Sequence, residues 1–122
     1  MHEVSIAHSI VETVQNLLPD NTNEYVSSVQ IKVGELSSIE MDALQFSFDI
    51  VKAKTPLNKA ELKIEIIEGK AQCSDCDEIF TMHSFATPCP KCNSYLVKIL
   101  QGKEMKIVSF EMEENEKINP KN

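Results

Sequence analysis

The sequence predicts an α+β fold with a small cysteine-pinned module set into it, and three features carry that prediction. Two stretches repeat apolar residues every three or four positions. Two others alternate apolar with polar residues, and all four cysteines fall in one short segment as a pair of Cys-x2-Cys motifs. At 122 residues, of which 42% are hydrophobic, the chain suits one compact domain or one domain with an appended module, and can bury one modest core.

The elements follow in order. Val4, Ala7, Val11, Val14 and Leu18 lay down a helical stripe from Glu3 to Leu18, widened by Ile6, Ile10 and Leu17, and Pro19-Asp20-Asn21 ends it. Val29-Gln30-Ile31-Lys32-Val33 alternates as a strand does, and Gly34 closes it. Ser37-Ser38-Ile39-Glu40 fits a capping box with Ser37 at the N-cap and Glu40 three residues on. It opens a second helix whose buried face is Met41, Leu44, Phe48 and Val51, and Thr55-Pro56 stops that helix because the residue before a proline avoids helical geometry. Leu62, Ile64 and Ile66 alternate with Lys63 and Glu65 as a second strand, with Gly69 marking the turn out. Residues Ala71 to Gln101 hold every cysteine and show little helical periodicity. Met105 to Met112 is apolar enough for a last strand that rejoins the main sheet, and from Glu113 the chain turns polar. The expected division is a main α/β domain of residues 1–70 with 103–112, a four-cysteine module at 71–102, and a flexible tail at 113–122.

Composition narrows the partners. The formal net charge is −7, with twelve basic residues, all lysine, against nineteen acidic ones. Nucleic-acid affinity rests on neutralising phosphates, and base reading leans on arginine forks, so an arginine-free acidic chain is a poor candidate for either. No apolar run approaches the roughly 20 residues that span a bilayer, and the start has no basic segment followed by an apolar one, so no export signal is expected. A cytoplasmic location follows, where cysteines stay reduced.

Cys73-x2-Cys76, twelve residues, then Cys89-x2-Cys92 is a metal-site spacing. Two intervening residues let a tight turn aim both thiolates at one ion, and Cys89-Pro90-Lys91-Cys92-Asn93-Ser94 is rich in turn formers. Four thiolates close the zinc tetrahedron and leave no open position, which means structure rather than catalysis. Rubredoxin-like iron calls for more aromatic shielding than Phe80, Phe85 and Tyr95 supply, and a dithiol redox pair needs one such motif, not two. His83, in the arm between the turns, is expected at the surface near the site rather than on the metal.

A second, weaker pattern lies at the start. A large residue at position 2 blocks removal of the initiator methionine, so Met1 keeps a free α-amine, whose ordinary pKa near 7.7–8.0 lets a metal displace its proton. That amine, the deprotonated His2 backbone nitrogen and the His2 imidazole would form a nitrogen-rich, nearly planar set suited to Ni(II) or Cu(II), with Glu3 as a nearby oxygen donor. A solvated terminus has the same composition, so these residues alone leave nickel, copper and no metal all open. His8 reads as a helix-surface or partly buried residue.

Met1-His2-Glu3 opening an amphipathic helix, Gly34-Glu35-Leu36-Ser37 before a second helix, and the paired Cys-x2-Cys motifs together resemble the HypA family, the nickel-insertion accessory proteins of [NiFe] hydrogenase. The resemblance covers nearly the whole chain, from Met1 to about Met112. It implies two helices against a small mixed sheet, with a zinc-ribbon-like module inserted before the last strand. It further implies His2 as the principal nickel ligand, assisted by Glu3 and neighbouring backbone nitrogens, Met1 included, and it places Glu40 near the nickel. The implied role is a nickel metallochaperone, not an enzyme, carrying Zn2+ as a structural ion and Ni2+ as cargo. Its implied partners are a HypB-like GTPase, the hydrogenase large subunit and, in some bacteria, urease accessory proteins, with the chain acting as monomer or homodimer. The competing reading is a zinc-ribbon protein-interaction module without nickel.

Overall fold

The structure is a computed structural model that describes residues 2–20 and 23–115. Its elements are α1 (Glu3–Leu17), β1 (Glu24–Gly34), α2 (Met41–Lys52), β2 (Glu61–Ile67), β3 (Lys70–Cys73), β4 (Ile79–Thr81), β5 (Val97–Gln101) and β6 (Met105–Glu114). The strands form two three-stranded sheets, ordered β2-β1-β6 and β4-β3-β5. The expected α+β class holds, and β6 returns beside β1 as its sequence position required. By contact the chain groups into two compact units, one of Met1–Gln30, Glu40–Lys63 and Val108–Asn122, the other of Ile31–Ile39 and Ile64–Ile107.

In the first unit α1 packs on α2. Ile6, Ala7, Ile10, Val11 and Val14 of α1 and Leu44, Ser47 and Phe48 of α2 are buried. The predicted α1 stripe is right in its middle and wrong at its ends, because Val4 and Leu17 are 52% and 64% exposed. The α2 face is narrower than expected, with Met41 and Val51 only half-buried. The Gln45 amide donates to the Leu62 carbonyl (2.8 Å) and the Lys52 ammonium to the Ala60 carbonyl (2.6 Å), tying α2 to the start of β2.

The start of α2 corrects the capping box. Helix N-caps favour short polar side chains that accept an orphan N–H, as Ser37 could, whereas Glu40 is longer and is favoured there by its negative charge. Glu40 is itself the N-cap, its Oε1 accepting from the Ala43 N–H at 2.9 Å. Ser37 instead closes the turn after β1, its hydroxyl donating to the Gly34 carbonyl (2.8 Å) and accepting from the Ile39 N–H (3.4 Å).

β1 runs five residues further towards the N-terminus than its alternation suggested. Val26 and Ser28 are buried, and then Val29, Ile31 and Val33. The inward parity therefore changes at Ser28-Val29, and a strictly alternating pattern cannot cross that step. β6 likewise continues to Glu114, and the Asn115 N–H donates to the Asn23 carbonyl (2.8 Å). Of the tail expected at 113–122, residues 116–122 lie outside the described residues.

The second unit contains all three glycines of the chain, and they meet. A Cβ on Gly34 would sit 1.9 Å from the Gly102 carbonyl oxygen, and one on Gly102 would sit 2.6 Å from the Gly69 Cα. Here the end of β1, the β2–β3 turn and the β5–β6 turn cross so closely that only backbone fits. Hydrogen bonds lace the crossing: Leu36 N–H to Gly102 carbonyl (2.7 Å), Gly34 N–H to Glu104 carbonyl (2.7 Å) and Met82 N–H to Gly69 carbonyl (2.8 Å).

Candidate metal centres

The two cysteine turns repeat one local design. In the first, the Asp77 N–H bonds the Cys73 carbonyl (3.0 Å) and the Cys73 N–H bonds the Glu78 carbonyl (2.8 Å). In the second, the Asn93 N–H bonds the Cys89 carbonyl and the Cys89 N–H the Ser94 carbonyl, both at 2.8 Å. Asp77 and Asn93 hold the turns with φ of 65° and 63°, the left-handed region that Asp and Asn enter most readily after glycine. Inside each turn a backbone N–H points at the first sulfur, from Asp75 to Cys73 Sγ (3.4 Å) and from Lys91 to Cys89 Sγ (3.3 Å). The Ser94 hydroxyl donates to the Asp75 carboxylate (2.5 Å), clasping one turn to the other.

The four predicted cysteines converge. Their sulfurs all lie within 4.8 Å of one another, with Cys73 Sγ 3.5 Å from Cys92 Sγ and Cys76 Sγ 3.6 Å from Cys89 Sγ. A regular tetrahedron with Zn–S bonds of about 2.3 Å has S···S edges of about 3.8 Å, so the arrangement fits a zinc ion with little adjustment. The thiol energetics agree. Burial opposes ionisation of Cys73, but the backbone groups of Cys76 and Asp75 and the neighbouring thiols outweigh it and bring Cys73 down to about 7. A backbone hydrogen bond from Glu78 favours the Cys76 thiolate, yet burial and the surrounding sulfurs push Cys76 up to about 12. Four sulfurs packed this closely cannot all carry negative charge without a cation among them. Cys73 and Cys89 also belong to a buried apolar cluster with Leu36, Ala71, Phe80 and Met82, and Cys76 packs against it, so the module's core shares residues with its metal ligands.

His83 is not among these sulfurs. It lies in the arm between the turns, where its Nδ1 pairs with the Glu35 carboxylate at 3.0 and 3.2 Å. That carboxylate also accepts from the Gly69 N–H (2.7 Å), and this bond, with help from His83, holds Glu35 below its ordinary value despite burial.

At the N-terminus, His2 is the α1 N-cap residue, exposed and making no side-chain cap bond, and its carbonyl accepts from the Ile6 N–H at 3.2 Å. Met1 lies outside the described residues. Glu3 and Glu40, 37 positions apart in sequence, are neighbours: Glu3 Oε2 accepts from the Glu40 N–H at 2.9 Å. That bond is the main reason Glu3 is held below its ordinary carboxylate value, helped by its own backbone N–H and by His2 against partial desolvation. The starts of α1 and α2 are thus joined through Glu3 and Glu40, with the exposed His2 next to Glu3 in sequence. His8 sits exposed on α1. Sequence reading found the acids at this place but not the bond between them, nor the Asp75–Ser94 and Glu35–His83 contacts, which join residues 19 and 48 positions apart.

Comparison with known proteins places this geometry. The family model described as "Hydrogenase/urease nickel incorporation, metallochaperone, hypA" matches residues 1–112. A hydrogenase maturation factor HypA from Parabacteroides distasonis is 44% identical over 110 residues, covering 90% of this chain and 96% of that protein. One from Prosthecochloris aestuarii is 34% identical over 113 residues, covering 93% and 100%. The solution structure of the Ni metallochaperone HypA from Helicobacter pylori superposes with a TM-score of 0.65 at 26% identity, covering 94% of this chain and all of that one.

Proposed function

This chain belongs to the HypA family, and we propose that its N-terminus carries Ni(II) as cargo while its four thiolates keep a resident zinc ion. It is a nickel metallochaperone of hydrogenase maturation. The main domain, residues 1–70 with 103–112, handles the cargo, and residues 71–102 form the zinc module. Zinc supplies a cross-link there, not an open Lewis-acid position, because four sulfurs saturate it. Cys73, Cys76, Cys89 and Cys92 would hold it. We read the chain itself as performing no covalent chemistry.

The observation that supports the nickel reading is the bond from the Glu40 N–H to the Glu3 carboxylate, which joins the two helix starts beside an exposed His2. His2 is exposed and commits no side-chain bond to its helix. The Glu3 carboxylate is held in place through one oxygen, leaving its other oxygen for the ion, and His2 supplies the imidazole, with the His2 amide nitrogen and the Met1 amine completing a nitrogen-rich set. Glu40 acts chiefly by holding Glu3 through its N–H. Ligands this exposed, with few supporting bonds, bind moderately and exchange quickly, which suits a carrier. The acceptors on this reading are a HypB-like GTPase and the hydrogenase large subunit, with urease accessory proteins as further clients where a urease is made.

The test is metal analysis of tag-free protein with nickel titrations of wild type and His2→Ala in parallel. One zinc per chain in both, with nickel uptake only in wild type, is expected. Full nickel stoichiometry in His2→Ala would overturn the terminal site.

A further inference from the structure

β5 is a terminal strand of its sheet, so its far side has no strand beside it among the described residues. Its alternate residues Val97 and Ile99 turn inward onto the buried cysteine cluster. The opposite parity, Leu96, Lys98 and Leu100, points out, with Leu96 65% and Leu100 44% exposed. An exposed apolar edge of this kind is a template for strand pairing, and proteins that do not use such edges protect them. The sole charge on this edge is Lys98.

The charge pattern says what would fit. In a chain of net charge −7, strands β3, β4 and β5 contain no Asp or Glu and two lysines, Lys70 and Lys98. Lys98 lies opposite Gln72 of β3, and Gln72 opposite Ile79 of β4, so the outward row runs from cationic through neutral polar to apolar and holds no acid. Past the end of β5, a shallow hollow of about 310 Å³ lined by Ile99, Leu100, Gln101, Lys103 and Glu104 has room for a side chain. A second copy is a poor occupant. In antiparallel pairing, the register that sets Leu96 against Leu100 also sets Lys98 against Lys98, and like charges directly opposite are unfavourable.

We propose that the β5 edge of the zinc module receives an extended segment of a partner protein by strand addition, and that this segment alternates apolar and acidic residues. Main-chain hydrogen bonds along β5 supply the affinity, and the acid opposite Lys98, flanked by apolar residues beside Leu96 and Leu100, supplies the register. This goes beyond the nickel site and does not depend on it.

The experiment uses the zinc-loaded full chain and a fluorescently labelled acetyl-Thr-Leu-Thr-Glu-Thr-Leu-Thr-amide peptide, read by anisotropy. Controls replace its Glu by Lys, or N-methylate one alternate set of its amides or the other. Wild type should prefer the Glu peptide to the Lys peptide by at least about tenfold, and Lys98→Glu should invert that preference. Only one of the two N-methylated sets should abolish binding, because only one set faces β5. Lys98 is exposed, so its replacement leaves the fold intact, which one zinc per chain in the variant confirms. A flat titration with the Glu peptide, an unchanged preference in Lys98→Glu, or equal tolerance of both N-methylated sets would overturn the proposal. So would a concentration-dependent dimer that excludes the peptide and is broken by Leu100→Glu, which would give the edge to a second copy.

Discussion

The carboxylate of Glu3 accepts a hydrogen bond from the main-chain N–H of Glu40 at 2.9 Å, and Glu40 in turn caps α2 through the Ala43 N–H. The first turn of one helix is therefore bonded to the N-cap of the other. Each carboxylate also lies where helix N–H groups favour negative charge. The arrangement holds the two acids in place whether or not a metal is bound.

Glu40→Ala should cost about 1 kcal/mol of stability through the lost cap, and Glu3→Ala should cost less, since the exposed Glu40 N–H can turn to water. The two losses should fall short of additive, because both act on one short network. Chemical denaturation of the two single variants and the double variant measures this. For nickel the order should reverse: Glu3→Ala should weaken uptake more than Glu40→Ala, because Glu3 adjoins His2 in sequence while the Glu40 carboxylate is engaged by the Ala43 N–H. Calorimetric nickel titration on tag-free chains reads that order, and equal losses would place Glu40 on the metal too.

Gly34→Ala should be among the most damaging single changes in the chain. Its Cβ would lie 1.9 Å from the Gly102 carbonyl oxygen, which already accepts from the Leu36 N–H, so neither backbone can retreat without breaking that bond. Gly102→Ala adds strain of a second kind, since Gly102 has a φ of 112°, which residues with a Cβ rarely adopt. Losses above about 3 kcal/mol are expected for either. Thermal melting with zinc present checks this, and an exposed control such as Lys54→Ala should move little.

The parts of the structure that the sequence disclosed are those governed by local rules. The cysteine turns were legible because two intervening residues suffice to aim two sulfurs, and the middle of α1 because a helical period survives whatever lies around it. Where contacts made elsewhere decide between local solutions, sequence cannot choose. Ser37 is the better N-cap by residue type, but its hydroxyl is bound in the turn after β1 while Glu3 bonds the Glu40 N–H from 37 residues away. The parity change at Ser28-Val29 hid half of β1. The short strands of the zinc module carry too few residues to show a period, and their register follows from the turns that flank them. The pairing of Glu35 with His83 gave no signal, since a side-chain contact across 48 positions leaves no local trace.

That pair sets a pH dependence. The Gly69 N–H and His83 hold Glu35 below its ordinary value of 4.5. A carboxylate whose folded pKa is depressed contributes its full stabilisation above the unfolded value and loses it as pH falls through the folded one. Glu35→Gln can still accept from Gly69 but has no charge to lose. Wild type should therefore melt at a higher temperature than Glu35→Gln at pH 6, and the gap should close below about pH 4.5. Acid release of zinc affects both chains alike, so the difference isolates Glu35. A gap that widens in acid would contradict the assignment.

Removing zinc should loosen the second unit while sparing the helices of the first. Cys73 and Cys89 are fully buried in the cluster with Leu36, Ala71, Phe80 and Met82, and without a cation their closely set sulfurs lose the cross-link. That small cluster then has to hold three short strands alone, whereas α1 and α2 keep Ile10, Val14, Leu44 and Phe48, all fully buried. Structural zinc contributes on the order of 10 kcal/mol in small domains, more than this cluster can replace. Hydrogen exchange after chelation should show β3, β4 and β5 losing protection while α1 and α2 retain most of theirs, with helical circular dichroism nearly unchanged. Cys76→Ser should reproduce the pattern in milder form, since three sulfurs remain and a hydroxyl is a weak zinc ligand. Uniform loss of protection across both units would mean that the helices also depend on the metal.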